Sequence, residues 1–174
     1  MSDPIETVWQ GRFITTLREG SWEYVMRNGD ITAAVIVAID DDHLILVEQY
    51  RIPIAKRCIE LPAGLVGDDH DGESIERAAI RELEEETGYH AEAMELLGEY
   101  VTSPGMVTER FTLVRAKGLT RVGDGGGVPG EDITVHRVPL GQLAQFVADR
   151  RAEGMAIDSK LLTLLGPIYL KLSA

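Results

Sequence analysis

The segment from Gly67 to Tyr89, GDDHDGESIERAAIRELEEETGY, constrains this chain more than any other. From Glu73 to Thr87 it holds no glycine or proline, and its Ala, Leu and Glu residues favour a helix. Gly88 follows as a natural stop, able to take the positive φ found just past helix ends. At about 100° per residue, Glu82, Glu85 and Glu86 share one face. Ile75, Ala79 and Leu83 form a separate apolar stripe suited to packing on a sheet. Like charges at this spacing destabilise a bare helix, so the face asks for a positive partner. A hard divalent cation, Mg²⁺ or Mn²⁺, takes carboxylate oxygens and keeps several waters. Arg81 can hold a carboxylate such as Glu73 by a bidentate contact. A solvated acidic helix accounts for the same charges without a ligand. An EF-hand loop, suggested by Asp69, Asp71 and Gly72, fails at both ends, where Gly67 and Ala78 stand at ligand positions.

A chain of 174 residues fits one domain, 1–174, with a sizeable core. The longest apolar run, Ala33 to Ile39, is too short to span a membrane. The opening MSDPIETVWQG lacks a signal-peptide apolar region. Cys58 is the single cysteine, which excludes an internal disulfide and points to the cytoplasm. A net charge of −12 argues against sequence-independent nucleic-acid binding. It also means that a phosphate substrate needs metal ions or a local arginine cluster to approach.

Read in order, Thr7–Leu17 and Ser21–Arg27 are expected strands around a turn at Glu19-Gly20. Ile31–Ile39 and His43–Tyr50 follow as strands joined by an Asp40-Asp41-Asp42 turn. A basic stretch, 51–58, leads to Glu60-Leu61-Pro62-Ala63-Gly64 and the acidic helix. Glu92–Val101, Glu109–Ala116 and Ile133–Val138 are further strands. Thr120–Gly130 is a Gly-rich loop expected to be mobile. Gly141–Arg151 and Ser159–Leu172 read as helices, the latter amphipathic through Leu161, Leu162, Leu165 and Tyr169. The order suggests an α+β fold, a mixed sheet sandwiched by helices. The four histidines show no ligand spacing, and Cys58 reads as a small buried residue.

The acidic segment resembles the Nudix box, G-x5-E-x7-R-E-U-x-E-E-x-G-U, at Gly67, Glu73, Arg81, Glu82, Leu83, Glu85, Glu86 and Gly88. Only Tyr89 departs, at a packing position. Within that superfamily the chain is similar to the ADP-ribose pyrophosphatase group over residues 7 to 150. Glu48-Gln49-Tyr50-Arg51, Glu60 to Gly64, Ser103-Pro104-Gly105 with Glu109, and Glu131-Asp132-Ile133 carry that similarity. Enzymes acting on GDP-mannose share several of these marks. The resemblance implies a Nudix-type α/β/α sandwich with an N-terminal antiparallel hairpin. It also implies Mg²⁺-dependent hydrolysis of the diphosphate of ADP-ribose or a similar nucleoside diphosphate sugar. GDP-mannose, a dinucleotide or a non-catalytic ADP-ribose sensor are the alternatives.

On this resemblance Glu82, Glu86 and the Ala63 carbonyl hold metal, and Glu85 ligates a further ion or activates water. Glu131 completes the metal site or acts as general base; Pro129 stands where the group often carries a further Glu. Arg51 contacts the diphosphate, Ser103 and Glu109 hold the distal sugar or position water, and Phe13 with Arg12 stacks the base. The group commonly dimerises through its N-terminal strands, here residues 1–28, so a homodimer is expected. Simpler readings stand beside these: a surface ion pair for Arg51, a plain turn for Ser103, a core position for Phe13 and a solvated loop charge for Glu131.

Overall fold

The computed structural model describes residues 3–29, 31–67 and 72–169. Asp69, His70, Asp71 and the last residues of the expected C-terminal helix, 170–172, lie outside the described residues. The chain opens with β1 (Ile5–Gln10), β2 (Ile14–Glu19) and β3 (Trp22–Arg27), which form an antiparallel sheet of their own. Then come β4 (Thr32–Val37), β5 (Ile39–Asp40), β6 (His43–Arg51), β7 (Lys56–Glu60) and β8 (Ala63–Val66). Helix α1 (Ile75–Thr87) leads into the long antiparallel pair β9 (Tyr89–Val101) and β10 (Arg110–Arg121). Strand β11 (Thr134–Pro139), helix α2 (Leu143–Ala152), strand β12 (Ala156–Ile157) and helix α3 (Leu162–Tyr169) complete it.

Two sheets form the centre. One has the order β8-β4-β10-β9 and is mixed, because β4 and β10 run parallel while the other pairs are antiparallel. The other runs β11-β6-β7-β12, with β5 paired to β6. Alternation along β4 divides the core. Ala34 and Ile36 join Ala78, Ala79 and Leu83 of α1 on one side, while Val35 and Val37 join Leu143, Val147, Leu161 and Leu165 on the other. That is the period of two expected of a strand buried on both faces, and it makes the α/β/α sandwich.

Local rules explain the boundaries. Ser74 caps α1 by accepting from the Arg77 N–H at 3.4 Å. Gly88, at φ +72°, ends it and returns its N–H to Glu84. Asp41 and Asp42 both take positive φ in the two-residue turn between β5 and β6, the geometry that matches strand twist.

Several expectations need correction. Thr7–Leu17 is two strands, not one: Gly11 to Phe13 turn the chain, and Gly11 N–H donates to the Ile14 carbonyl at 2.9 Å. The N-terminal hairpin is therefore part of a three-stranded sheet. The stretch before the box contains strands β7 and β8, whose patterns are masked by Lys56, Arg57 and Gly64. Leu162 is exposed, whereas Leu161 and Leu165 are buried.

Part of the Gly-rich loop is docked rather than loose. Val122 and Gly123 donate to the Gly88 carbonyl, and Gly126 and Gly127 donate to the carbonyls of Glu86 and Glu85, all within 3.1 Å. The loop thus satisfies carbonyls that a helix C-terminus otherwise leaves unpaired. A Cβ on Gly125 would lie 2.4 Å from the Thr87 carbonyl carbon, so this glycine is required by close approach.

Candidate active site

A cleft of about 520 Å³ opens beside α1, lined by Glu82, Glu85, Glu86, Ala63, Gly64, Arg51, Glu60, Glu109 and Glu131 among others. The structure therefore brings together most of the residues that the sequence singled out, from five separate segments of the chain.

Helix α1 and strand β8 set the acidic wall. Glu86 is only 5% exposed, and its Oε2 accepts the Ala63 N–H at 3.1 Å. Burial pushes its carboxyl up to about 8 against that hydrogen bond, with Glu82 and Glu131 adding repulsion. Burial likewise raises Glu82, against the pull of the Arg81 guanidinium. Arg81 Nη1 donates to Glu82 at 2.9 Å and to Glu85 at 3.1 Å, and its Nη2 to Glu73 at 3.3 Å. The expected Arg81–Glu73 contact is present as a single hydrogen bond rather than a bidentate fork, because Nη1 is taken up by Glu82 and Glu85. Glu82 lies against β8 so closely that a Cβ on Gly64 would sit 2.0 Å from its carboxyl carbon. That is the packing reason for a glycine after Ala63.

The donor set fits a hard divalent cation. Carboxylates whose proton affinity is raised by burial and mutual repulsion are stabilised by positive charge in the cleft. Among the described residues no three acidic, histidine or cysteine side chains converge into a ready-made cage.

Cations line the cleft as well. Arg51 forks onto buried Glu60 with Nε and Nη2 both at 2.7 Å, so Glu60 aims it. Among the described residues its Nη1 takes no hydrogen-bond partner. Arg27 also lines the cleft, joined to Glu109 at 3.1 Å, as does Lys160 just before α3. Arg27, Glu60 and Lys160 were not singled out in the sequence as site residues. Glu60 had a signal, a carboxylate within an apolar strand end; Arg27 and Lys160 are lone cations with none.

Glu131 sits on the turn after the docked glycines, and its Oε2 accepts the Val128 N–H at 2.9 Å. Three other expected residues stand elsewhere. Ser103 is exposed and its carbonyl accepts from Met106 and Val107; it is a turn residue, and Thr102 lines the cleft instead. The turn carries Met106, which accepts the Val25 N–H at 2.9 Å and so links the N-terminal sheet to the cleft rim. Phe13 is 63% exposed, neither core nor cleft, with the Arg12 guanidinium 4.9 Å above its ring. Asn28 pins that turn by donating to the carbonyls of Gly11 and Arg12.

Comparison with known proteins matches the NUDIX domain family over residues 30–156. The chain belongs to the NUDIX family. Among curated relatives it is 36% identical to the methanol dehydrogenase activator of Bacillus methanolicus over 140 residues, covering 80% of this chain and 71% of that one. It is 41% identical to the ADP-ribose pyrophosphatase of Bacillus subtilis (strain 168) over 87 residues, covering 50% of this chain and 45% of that one. It is 32% identical to the GDP-mannose pyrophosphatase of Cronobacter sakazakii over 155 residues, covering 84% and 77%. A solved structure described as an ADP compounds hydrolase superposes with a TM-score of 0.72 at 27% identity, covering 98% of this chain and 94% of that one. This Nudix chain sits with the ADP-ribose pyrophosphatase-like pyrophosphohydrolases.

Proposed function

We propose that this enzyme hydrolyses the diphosphate of ADP-ribose or a similar nucleoside diphosphate sugar, releasing a nucleoside monophosphate and a sugar phosphate. The observation that carries the reading is that Glu82, Glu86, Glu131 and Arg51 line one cleft. A diphosphate resists attack because its charge repels nucleophiles. Mg²⁺ or Mn²⁺ bound there would neutralise that charge and acidify a water. Glu82 and Glu86, with the Ala63 carbonyl, are the proposed ligands. Arg51, held charged and oriented by Glu60, binds a phosphate oxygen. Glu131 takes the proton from the attacking water, while Glu85, tied to Arg81, supports a further ion. Glu109, with Arg27, faces the distal group.

GDP-mannose is the second candidate substrate, because the similarity to a GDP-mannose pyrophosphatase spans more of both chains than the ADP-ribose pyrophosphatase similarity does. A sensor without catalysis is disfavoured, since all box carboxylates are present.

Residues 1–174 are proposed to act as one domain in a homodimer. All six residues of β1 are exposed, and Ile5, Val8, Trp9, Phe13 and Trp22 present apolar side chains to solvent. A second copy covering them would carry Arg12 and Phe13 toward its neighbour's cleft, where the base would stack. Cys58 is buried and its thiol is pushed up to about 12, chiefly by burial, which makes it inert and suits a cytoplasmic setting.

The test is incubation with ADP-ribose, GDP-mannose, a dinucleotide and Mg²⁺, scoring released monophosphate. Turnover of the nucleoside diphosphate sugars supports the reading; binding without turnover of any of them overturns it.

A further inference from the structure

The turn that carries Glu131 is anchored at both ends. On its N-terminal side Gly126 and Gly127 are held by the carbonyls of Glu86 and Glu85 at 2.9 and 3.0 Å. On its C-terminal side the buried Ile133 donates its N–H to the Gly126 carbonyl at 3.3 Å, and the side-chain grip on Asp132 comes from Arg57 of β7. Arg57 Nη1 donates to Asp132 Oδ2 at 3.1 Å, and Nη2 donates to the Asp132 carbonyl at 3.3 Å and to Thr134 Oγ1 at 3.5 Å. Asp132 has φ +51°, a left-handed conformation that Asp and Asn tolerate better than most residues with a Cβ.

Arg57 is itself braced from behind. Its Nε donates to Glu48, and the other Glu48 oxygen lies 2.9 Å from His136 Nε2. Glu48 is buried in the apolar strand β6, where an unpaired carboxylate is costly. Arg57, Glu48, Asp132 and His136 do not line the cleft. A buried carboxylate that touches no substrate, yet fixes a fork closing on the residue next to Glu131, has a mechanical reading.

We propose that Arg57, braced by Glu48 and His136, is the positioning residue for Glu131. The inference rests on the reading that Glu131 serves hydrolysis. With both anchors fixed, only Val128 to Glu131 spans the gap, and that span is closed on itself by the Glu131 N–H on the Val128 carbonyl at 3.1 Å. The Glu131 carboxylate, already at the cleft wall, then turns toward a reacting water by leaving the Val128 N–H, with its backbone held still. Releasing Arg57 frees the backbone at Asp132 and lets the carboxylate wander from reacting distance, and small misplacements of a catalytic group are expensive in rate.

The experiment compares Arg57→Ala, Arg57→Lys, Asp132→Ala, Asp132→Asn and Glu131→Gln by steady-state kinetics and amide hydrogen exchange. Arg57→Ala is expected to lower kcat about 10- to 100-fold with KM changed less than about threefold. Arg57→Lys keeps the charge but loses the fork, and falls between it and wild type. Asp132→Ala lowers kcat, whereas Asp132→Asn, which keeps an acceptor and tolerates the left-handed conformation, stays within about threefold of wild type. Arg57→Ala added to Glu131→Gln costs nothing further, because both act through one carboxylate. Amides of residues 128–133 exchange faster in Arg57→Ala while those of 122–127 do not.

An unchanged kcat in Arg57→Ala, an additive loss on top of Glu131→Gln, or loss of protection spread across both sheets overturns the proposal. If Arg57→Ala does not fold, the Asp132 pair decides, since neither variant disturbs buried Glu48; equal kcat values for Ala and Asn overturn it. If wild type turns over no substrate, the functional reading has failed, and the hydrogen-exchange comparison still tells whether Arg57 holds the turn.

Discussion

Helix α1 buries Ala78, Ala79 and Leu83 completely, and each glutamate of its cleft face meets a donor from its own chain, Arg81 or the Ala63 N–H. Strand β1, by contrast, exposes all six of its residues, and Trp22 of β3 is 62% exposed. The first region completes its structure within one chain and carries strain only in its charge. The second is a three-stranded sheet with β1 at its edge, tied to the rest of the chain through Val25, and it leaves its apolar surface open. The helix thus gathers acidic charge in a cleft, whereas the sheet leaves apolar side chains in the open, the kind of patch that marks interaction surfaces.

The sharpest way to break that contrast is Glu86→Gln. Turnover should fall by roughly three orders of magnitude or more, as expected when charge at the reacting centre is lost, while circular dichroism stays native. Retained activity would remove the metal-ligand assignment. Next comes the pH dependence of the metal-free protein. Below the ordinary carboxyl value of 4.5, Glu86 is protonated in both folded and unfolded chains and costs nothing. Between 4.5 and about 8 the unfolded chain releases the proton that the folded one keeps, so stability falls as pH rises and levels off above about 8. The full window amounts to no more than ~5 kcal/mol at about 1.36 kcal/mol per pH unit. Urea denaturation at pH 5 and pH 8 should show the decline, and Mg²⁺ should oppose it most at pH 8. A flat profile would contradict the uncompensated charge of the helix face.

A smaller effect tests the cradle. Gly64→Ala should displace Glu82 and lower kcat about tenfold or more, at a stability cost of roughly 1–3 kcal/mol from overpacking; kinetics and thermal melts read the two separately. The smallest effect on the isolated fold belongs to the sheet. Val8→Glu lies on a fully exposed strand and should change melting by well under ~1 kcal/mol in a single chain. Light scattering should nevertheless drop from the dimer to the 19.1 kDa monomer. A wild-type mass already at the monomer value would leave the apolar sheet without its proposed partner.

The two regions were also unequally legible in the sequence. The α1 face rests on local periodicity, and the expected stop at Thr87-Gly88 matches the observed end of the helix. Arg81–Glu73 was readable because the spacing is two helical turns. The rest of the cleft depends on tertiary pairing. Arg51 stands opposite Lys56 and Glu60 opposite Val47 in the β6–β7 register, so their fork is a diagonal reach of a long side chain that pairing alone does not announce, and no periodicity marks Lys160. Strand β8 was hidden because Gly64 makes way for Glu82, which lies on a helix formed later in the chain. The glycines at 125–127 suggested mobility, yet Gly125 is small because it packs on Thr87. Phe13 illustrates the opposite limit: its exposed position fits a partner surface that one chain's pattern does not encode.

The most direct test is anomalous diffraction from crystals soaked in Mn²⁺ with a non-hydrolysable ADP-ribose analogue. Manganese peaks are expected between Glu82, Glu86 and the diphosphate, with Arg51 on a phosphate oxygen. An ordered diphosphate in the cleft with no manganese at those carboxylates, or manganese bound only elsewhere, would contradict the metal-ligand assignment.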